Sequence, residues 1–221
     1  MVPSRPNYIN LNMSEINRLT AVSDCFKLLA ACFYEPDKLF FQEQRVCENL
    51  VMLLEQFSTQ AAHHAQTMAN SLEKLDQNIL MVDYAALFVG PFELLAAPYG
   101  SIYLEKKREV MGQSTMEVLK YYQDAGLEVQ EAEPADHIAI ELEFLSFLYS
   151  KEARTTNESH GKSAGDTSEL RYRFLTACFF PWVFDFCEAI QKGTSNAFYL
   201  SLAHCLASFV RDHQAHIMET A

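Results

Sequence analysis

The amino-acid sequence predicts an all-α fold, a bundle of several helices. Leu, Ala, Phe and Met are frequent, whereas Gly and Pro number only 7 each among 221 residues, and this balance favours long helices over turn-rich β-sheets. Apolar residues also recur at intervals of three and four along most of the chain, which is the period of an amphipathic helix. A chain of this length can bury a core without disulfide bonds.

Apolar periodicity divides the chain into helices that proline, glycine or polar residues separate. Pro36 and Pro134 suit the first turn of a helix, and Pro181 should bend the helix that contains it. Residues 1–13 are predicted to form a flexible tail. Residues 153–167, which are mostly small and polar, are predicted to form a mobile loop. The predicted helices run from Ser14 to about Tyr34, Pro36 to about Ser58, Gln60 to Leu75, Ile79 to Val89, Glu105 or Ser114 to Ala125, Pro134 to about Glu152, Ser168 to Gln191 and Ser195 to about His216.

The helical domain is expected to span residues 14–221 in two halves, about 14–125 and 134–221. An acidic connector, residues 126–133, joins them. A hinge in this connector would allow the C-terminal half to exchange between two chains. The sequence is therefore compatible with a monomer or a domain-swapped homodimer.

Charge and composition limit the classes of partner. The formal net charge of −12 repels phosphate backbones and anionic lipid, so we expect no nucleic acid and no membrane surface as partner, but a cationic one. No apolar segment follows Met1, and no apolar run reaches the roughly 18 residues of a membrane span. These features predict a cytoplasmic protein without membrane insertion.

The cysteines and glycines offer no cofactor site. The cysteines lack the C-x-x-C spacing of zinc or redox sites and lie within apolar helical patterns, which predicts reduced core thiols. No glycine-rich nucleotide motif is present, so we expect no cofactor. The six cysteines are Cys25, Cys32, Cys47, Cys178, Cys187 and Cys205.

A first candidate site surrounds Asp136 and His137 at a predicted helix start, with Glu133 before them and Glu141 one turn later. These carboxylates could orient the imidazole or raise its pKa. One interpretation is an enzyme or a metal-binding helical protein that uses Asp136, His137 and Glu141. No nucleophile motif accompanies them, and the paired Glu-x-x-His motifs of a diiron bundle are absent. A capped helix start is the structural alternative.

Two further features favour a peptide-binding surface. The acidic run from Glu128 to Glu143 contains no Lys or Arg, and such carboxylates can bind guanidinium groups through charge-assisted hydrogen bonds. The segment from Gly90 to Tyr103 is apolar but broken by prolines and glycine, so it could line a groove for an apolar peptide. A solvated surface and a loop that covers the core are the structural alternatives.

Three segments together resemble the TorD/DmsD/NarJ family of redox-enzyme maturation chaperones. YAALFVGPFELLAAPYGSIYL begins at Tyr84 and resembles a family helix that ends in Leu-Phe-Val-Gly-Pro, and EPADHIAIELEFL begins at Glu133 and contains a Glu-Pro-x-Asp-His motif. FFPWVFDFCEAI, which begins at Phe179, is similar as well. The resemblance implies an all-helical chaperone without catalytic turnover.

The resemblance also implies a partner, the precursor of a molybdenum-cofactor reductase of the trimethylamine N-oxide or dimethyl sulfoxide type. Such a chaperone binds the twin-arginine signal peptide of the precursor before export. We expect Asp136, with Glu133, to attract the arginines. The apolar segment would bind to Leu87, Phe88, Pro98 and Tyr99, with His137 at the junction. An adaptor that binds only the mature enzyme remains an alternative. The positions that match family residues linked to peptide recognition are Tyr84, Leu87, Phe88, Pro98, Tyr99, Asp136 and His137.

Overall fold

A computed structural model describes residues 8–90, 94–105, 110–128, 133–158 and 162–220, and these residues form a helical bundle. Two π-helical turns extend this helical structure, Ala85–Val89 after α5 and Leu175–Phe179 between α9 and α10. The all-α prediction is confirmed. The helices are α1 Tyr8–Ala31, α2 Lys38–Glu43, α3 Val46–Leu54, α4 Thr59–Lys74, α5 Gln77–Tyr84, α6 Gly100–Leu104, α7 Gln113–Asp124, α8 Ile138–Glu158, α9 Lys162–Phe174, α10 Phe180–Gly193 and α11 Ala197–Thr220.

The core draws its helices from both parts of the sequence. α1 packs along α8, and α4 packs along α11, which also contacts α10. The ring of Phe26 on α1 is fully buried and lies 5.6 Å from the ring of Tyr149 and 5.1 Å from that of Phe209. The two predicted halves therefore share one hydrophobic core. The hinge and the swapped dimer stay predictions, and residues 129–132 of the connector lie outside the described ranges.

Side-chain caps and one backbone reversal set the boundaries of the N-terminal helices. The carboxylate of Asp37 accepts a hydrogen bond from the Phe40 amide at 3.0 Å and so caps α2, while the Ser58 hydroxyl accepts one from the Ala61 amide at 3.1 Å and caps α4. Arg45 has a left-handed φ of 51°. Because the left-handed region interrupts helical geometry, the single helix predicted from Pro36 to Ser58 is two helices.

Two of the segments predicted as irregular are helical in their described residues. α1 begins at Tyr8 rather than Ser14, so the flexible-tail prediction is wrong for residues 8–13, and residues 1–7 lie outside the described part. The predicted loop 153–167 contains the end of α8 and the start of α9. Its alanines favour helix, and the Thr155 hydroxyl bonds back to the Lys151 carbonyl at 3.0 Å, as helical threonines do. Residues 159–161 are not described.

The two prolines behave differently. Pro181 lies in the first turn of α10, directly after the π-helical turn Leu175–Phe179. Proline has no amide hydrogen to donate, and the helix predicted from Ser168 to Gln191 is divided by this π-helical turn. The bend expected at Pro181 stays a prediction. Pro134 does not open a helix as predicted. α8 begins at Ile138, and the His137 amide donates to the Pro134 carbonyl at 3.0 Å in a turn.

A buried polar network fixes α8, α9 and α11 to one another. The Arg171 guanidinium donates to both carboxylate oxygens of Glu152, at 2.7 and 3.2 Å, and to the Tyr149 hydroxyl at 3.0 Å. The same hydroxyl bonds His213 Nε2 on α11. α11 continues to Thr220, beyond the predicted end near His216, and His213 is buried.

All six cysteines are free and buried, which confirms the prediction of core thiols. Burial raises the pKa of Cys47 and of Cys187 to about 12 in each case, so both thiols stay protonated and poorly nucleophilic at neutral pH. Among the described residues, no helix is long and apolar enough to cross a membrane.

The buried imidazole of His213 makes the stability of the fold depend on pH. Burial, followed by the nearby Arg171, lowers the pKa of His213 from 6.5 to about 3. The His213 imidazole of the unfolded chain therefore binds a proton near pH 6.5, whereas that of the folded chain does so only near pH 3. We expect the free energy of unfolding to decrease as the pH is lowered through this window. The decrease is at most about 1.4 kcal/mol per pH unit for one proton.

Urea unfolding of His213→Phe between pH 7.5 and 4.5 tests this dependence. The variant loses the hydrogen bond to Tyr149 and should be about 1–3 kcal/mol less stable at pH 7.5, but its stability should fall less steeply with acid than that of the wild type. His63→Phe, at an exposed position on α4, serves as the control and should keep the wild-type slope. Equal slopes for His213→Phe and the wild type would contradict the role of His213.

Candidate functional site

An isolated antiparallel bridge between Tyr99 and His137 forms the centre of the candidate site. The Gly100 amide donates to the Asp136 carbonyl at 2.9 Å, and the Ile138 amide donates to the Pro98 carbonyl at 2.8 Å. These bonds join the segment before α6 to the residues before α8. The bridge thus brings together the two motifs that the sequence analysis identified separately.

Asp136 holds the two segments together rather than facing solvent. Asp136 is only 1% exposed. One carboxylate oxygen, Oδ2, accepts a hydrogen bond from the Ser101 amide at 2.7 Å, at the start of α6. Its other oxygen, Oδ1, has no hydrogen-bond partner in the structure. That Asp136 attracts a peptide's arginines stays a prediction, and in this structure its carboxylate is buried, so a guanidinium in solvent does not reach it directly.

His137 forms the floor of an aromatic surface. Its ring stacks on that of Tyr34, with 6.3 Å between ring centroids, and meets the Tyr99 ring edge to face at 5.4 Å. Its Nδ1 accepts a hydrogen bond from the Ala139 amide at 3.2 Å, so the proton of the neutral ring resides on Nε2. Burial lowers the pKa of His137 despite the nearby Glu133 and Asp136, which keeps the ring neutral at physiological pH.

Exposed carboxylates border this aromatic surface. The Tyr99 hydroxyl donates to Glu133 Oε2 at 2.8 Å. Burial, with added repulsion from Glu133 and Glu35, raises the pKa of Tyr84 to about 12, and Glu133 and Glu35 are both exposed. We call this surface the acidic-aromatic patch. It consists of Tyr34, Glu35, Tyr84, Tyr99, Glu133 and His137.

Three residues that the resemblance linked to peptide recognition are buried in the core instead. Leu87 and Phe88 are 1% and 4% exposed, and Pro98 is buried as well. The Phe88 ring packs against those of Phe186 and Tyr199, with centroids 6.0 and 5.9 Å away. Their positions assign these residues to the support of the patch, whereas Tyr84, Tyr99 and Glu133 reach its surface.

Sequence reasoning missed Tyr34 and Glu35 as members of the patch. They follow the end of α1, and the Tyr84 hydroxyl donates to the carbonyl of the preceding residue, Phe33, at 3.4 Å. Glu35 also precedes Pro36, where the second helix was predicted to begin. A tyrosine next to a carboxylate at a predicted helix end was the available signal, but nothing in the sequence linked it to His137.

The broken apolar segment from Gly90 to Tyr103 mainly covers the core. Tyr103 stacks on Trp182 at a centroid distance of 5.7 Å, and the Ala96 amide donates to the Leu87 carbonyl at 3.0 Å. Leu95 differs, because 52% of its surface is exposed. Phe92, part of the expected groove, lies outside the described residues.

Beneath the bridge lies a second carboxyl group, that of Glu141 on α8. The residue is fully buried, and its Oε2 accepts a hydrogen bond from Trp182 Nε1 at 3.3 Å, while Oε1 has no hydrogen-bond partner among the described residues. Burial, followed by the charge of Asp136, raises the pKa of Glu141 well above its ordinary value of 4.5. Burial therefore favours the protonated, neutral form of Glu141.

The interpretation as a metal-binding protein or enzyme has little support from this geometry. In the part of the chain that the structure describes, no three His, Cys, Asp or Glu side chains are grouped so that they could hold a metal ion. His137 Nδ1 is occupied by the Ala139 amide, and Glu141 lies in the core. Asp136, His137 and Glu141 therefore do not form one open site.

The raised pKa of Glu141 gives a second dependence on pH, opposite in sign to that of His213. The unfolded chain releases the Glu141 proton above about pH 4.5, whereas the folded chain retains it, so this group lowers stability as the pH rises. Glu141→Gln mimics the protonated acid and should be more stable than the wild type by a margin that grows from pH 5 to pH 8. Thermal melts across this range measure the margin, and a margin that is constant with pH would contradict the assignment.

Comparison with known proteins identifies the family. The model of the nitrate reductase delta subunit family matches residues 54–188. A Haemophilus influenzae protein named a probable Tat proofreading chaperone DmsD is 28% identical over 85% of this chain and 87% of its own length. The chaperone protein TorD of Shewanella oneidensis is 27% identical over 94% of this chain and 95% of its own.

A solved structure supports the fold separately. The structure of a redox enzyme maturation protein from Archaeoglobus fulgidus superimposes with a TM-score of 0.54 at 23% identity, and the match covers 84% of this chain and 92% of that chain. At this identity the likeness concerns the fold alone. The family match spans more than half of the sequence and includes both segments that the Tyr99–His137 bridge joins. The chain belongs to the nitrate reductase delta subunit family, the family of redox-enzyme maturation chaperones to which its TorD and DmsD relatives belong.

Proposed function

We propose that this chaperone binds the twin-arginine signal peptide of a redox-enzyme precursor through the acidic-aromatic patch. Among possible clients, we favour a molybdenum-cofactor reductase of the trimethylamine N-oxide or dimethyl sulfoxide type, acting in the cytoplasm before export. The observation that carries the proposal is the exposed Glu133 carboxylate, which the Tyr99 hydroxyl holds at 2.8 Å beside the rings of Tyr84 and His137. The names of the DmsD and TorD relatives point the same way.

The patch matches the chemistry of an arginine pair. A guanidinium group donates several hydrogen bonds to a carboxylate and also stacks on aromatic faces. Glu133 and Glu35 offer two exposed carboxylates, and Tyr84 and Tyr99 offer half-buried rings beside them. Two adjacent arginines could therefore pair with different carboxylates while their planar groups lie against the tyrosines.

Asp136 and His137 act in this proposal as positioning residues. Asp136 binds the Ser101 amide and so fixes the segment that carries Tyr99. His137 supports the rings of Tyr34 and Tyr99 from below. Loss of either side chain would leave the carboxylates in place but loosen the aromatic surface between them.

By binding the signal peptide, the chaperone would delay export of the precursor. A signal that is bound at the patch is not available to the export machinery, so the precursor remains where its cofactor is inserted. Release requires only that the complex dissociates once the enzyme has folded. No chemical step on the chaperone is needed.

The proposal predicts different effects for neighbouring carboxylates. Glu133→Gln should weaken binding of a synthetic twin-arginine peptide by about 1–3 kcal/mol, the scale of a charged hydrogen bond, and the loss should shrink in 1 M salt, where the Debye length is about 3 Å. Asp136→Asn should bind almost as well as the wild type because an amide oxygen still accepts from the Ser101 amide. Asp136→Ala should bind more weakly. Titration calorimetry at two salt concentrations measures all three affinities.

Glu55→Gln, at an exposed position that follows α3, is the matched charge control and should bind like the wild type. Each variant must first show a wild-type thermal melt. If Glu133→Gln retains full affinity while a signal-less client still binds, the protein is an adaptor for the mature enzyme. If Asp136→Asn loses as much affinity as Glu133→Gln, Asp136 itself contacts the arginines.

A further inference from the structure

We propose that the outer face of α5 and its π-helical extension binds the apolar segment that follows the arginines in the same peptide. This inference rests on the proposed function and adds a second, separate subsite to it. We call this face the apolar stripe and define it by Ile79, Val82, Ala86 and Val89. Of these side chains, Ile79, Val82 and Val89 are 51%, 67% and 60% exposed, and Ala86 is exposed as well.

The helix that carries the stripe is apolar on both of its faces. Leu80, Leu87 and Phe88 fill the core side and are nearly or fully buried, while the stripe occupies the solvent side. A helix that is hydrophobic around its whole circumference is normally buried on all sides. Here the outer face is open, and a contiguous exposed apolar surface of this kind marks an interaction site.

The spacing of the stripe suits a helical or extended apolar segment. Its members follow one another at intervals of three, four and three residues, Ile79 and Val82 on α5 and Ala86 and Val89 in the π-helical turn, and all four are exposed, so they form an apolar band along the solvent side rather than one straight row. Ten residues separate Ile79 from Val89, a length of about 15 Å at the rise of an α-helix. A partner helix of about ten apolar residues would cover this band, as in other complexes in which a helix lies along an apolar surface.

The stripe is continuous with the acidic-aromatic patch around the helix. With about 100° between successive residues, Met81 and Ala85 occupy the sector between the stripe and Tyr84. Met81 is half-buried and Ala85 is exposed, so apolar surface leads from one site to the other. A peptide whose arginines lie at the patch can therefore place the residues that follow them on the stripe.

Charge favours a peptide with a basic end over a second copy of this chain. The sequence from Leu75 to Glu105 contains no Lys or Arg, but it contains Asp76 and Asp83, both close to the stripe in sequence. Two copies of a chain with a net charge of −12 repel each other, most strongly if their acidic faces meet. A twin-arginine signal combines positive charge with an apolar segment, and this combination matches the patch and the stripe together.

The double variant Val82→Ser/Val89→Ser tests the stripe without disturbing the core, because both side chains are mostly exposed. Two synthetic peptides serve as probes, one with an arginine pair followed by about twelve Leu and Ala residues, the other ending just after the arginines. The double variant should bind the long peptide at least about ten-fold more weakly than the wild type does, since it loses two apolar contacts. It should bind the short peptide with unchanged affinity.

Met218→Ser, at a position on α11 that is 64% exposed, controls for the general loss of surface apolarity and should leave both affinities unchanged. If the double variant binds the long peptide as tightly as the wild type does while Glu133→Gln still weakens it, the stripe is not the apolar subsite but the proposed function stands. If neither peptide binds the wild type, both proposals fail. A dimer by light scattering in the wild type that the double variant abolishes would assign the stripe to self-association instead.

Discussion

The antiparallel bridge between Tyr99 and His137 is the interaction on which the candidate site depends. Two backbone hydrogen bonds, together with the bond from the Ser101 amide to Asp136, join segments that are almost forty residues apart in sequence. Neither segment is helical at this point, so neither has an internal ladder of hydrogen bonds to fix its course. Hydrogen bonds between the two segments therefore fix the conformation of each, and they also fix the position of the Tyr99 ring.

Burial gives the carboxyl groups around this bridge different chemical properties. Glu133 is exposed, so it remains available to a cation. Asp136 is buried but accepts a hydrogen bond from a backbone amide, and Glu141 is fully buried, which raises its pKa and favours its protonated form. In the sequence these three carboxyl groups lie within nine residues of one another and look like one acidic cluster. In the fold only the outermost of the three is exposed, while the inner two accept hydrogen bonds from Ser101 and Trp182.

Much of the fold could be predicted from the sequence because helices are local structures. The periodicity of α4, α8 and α11 identified these helices, and most of their ends were predicted to within a few residues. Gly90 ended the helical segment before it, as expected. The errors came from features that periodicity does not report. Arg45 reverses the backbone within an apolar run, and alanines and threonines continue α8 where small polar residues suggested a loop.

The candidate site was less predictable, because membership in it is decided by distance and burial. The motifs identified Tyr84, Tyr99 and His137, but they could not show that Leu87 and Phe88 point into the core. Nor could they find Tyr34, which joins the patch only because α1 ends beside His137.

The π-helical turn Ala85–Val89 has a consequence for how this family can vary in length. A π-turn holds one residue more than the α-helical turn it replaces, so it behaves as an insertion that the helix has absorbed. Deletion of a single residue here would restore a regular helix and rotate every later side chain by about 100°. Leu87 and Phe88 would then leave the core. The extra residue therefore sets the register between the helix and the loop, and a gap at this place in an alignment should mark relatives whose binding surface is built differently.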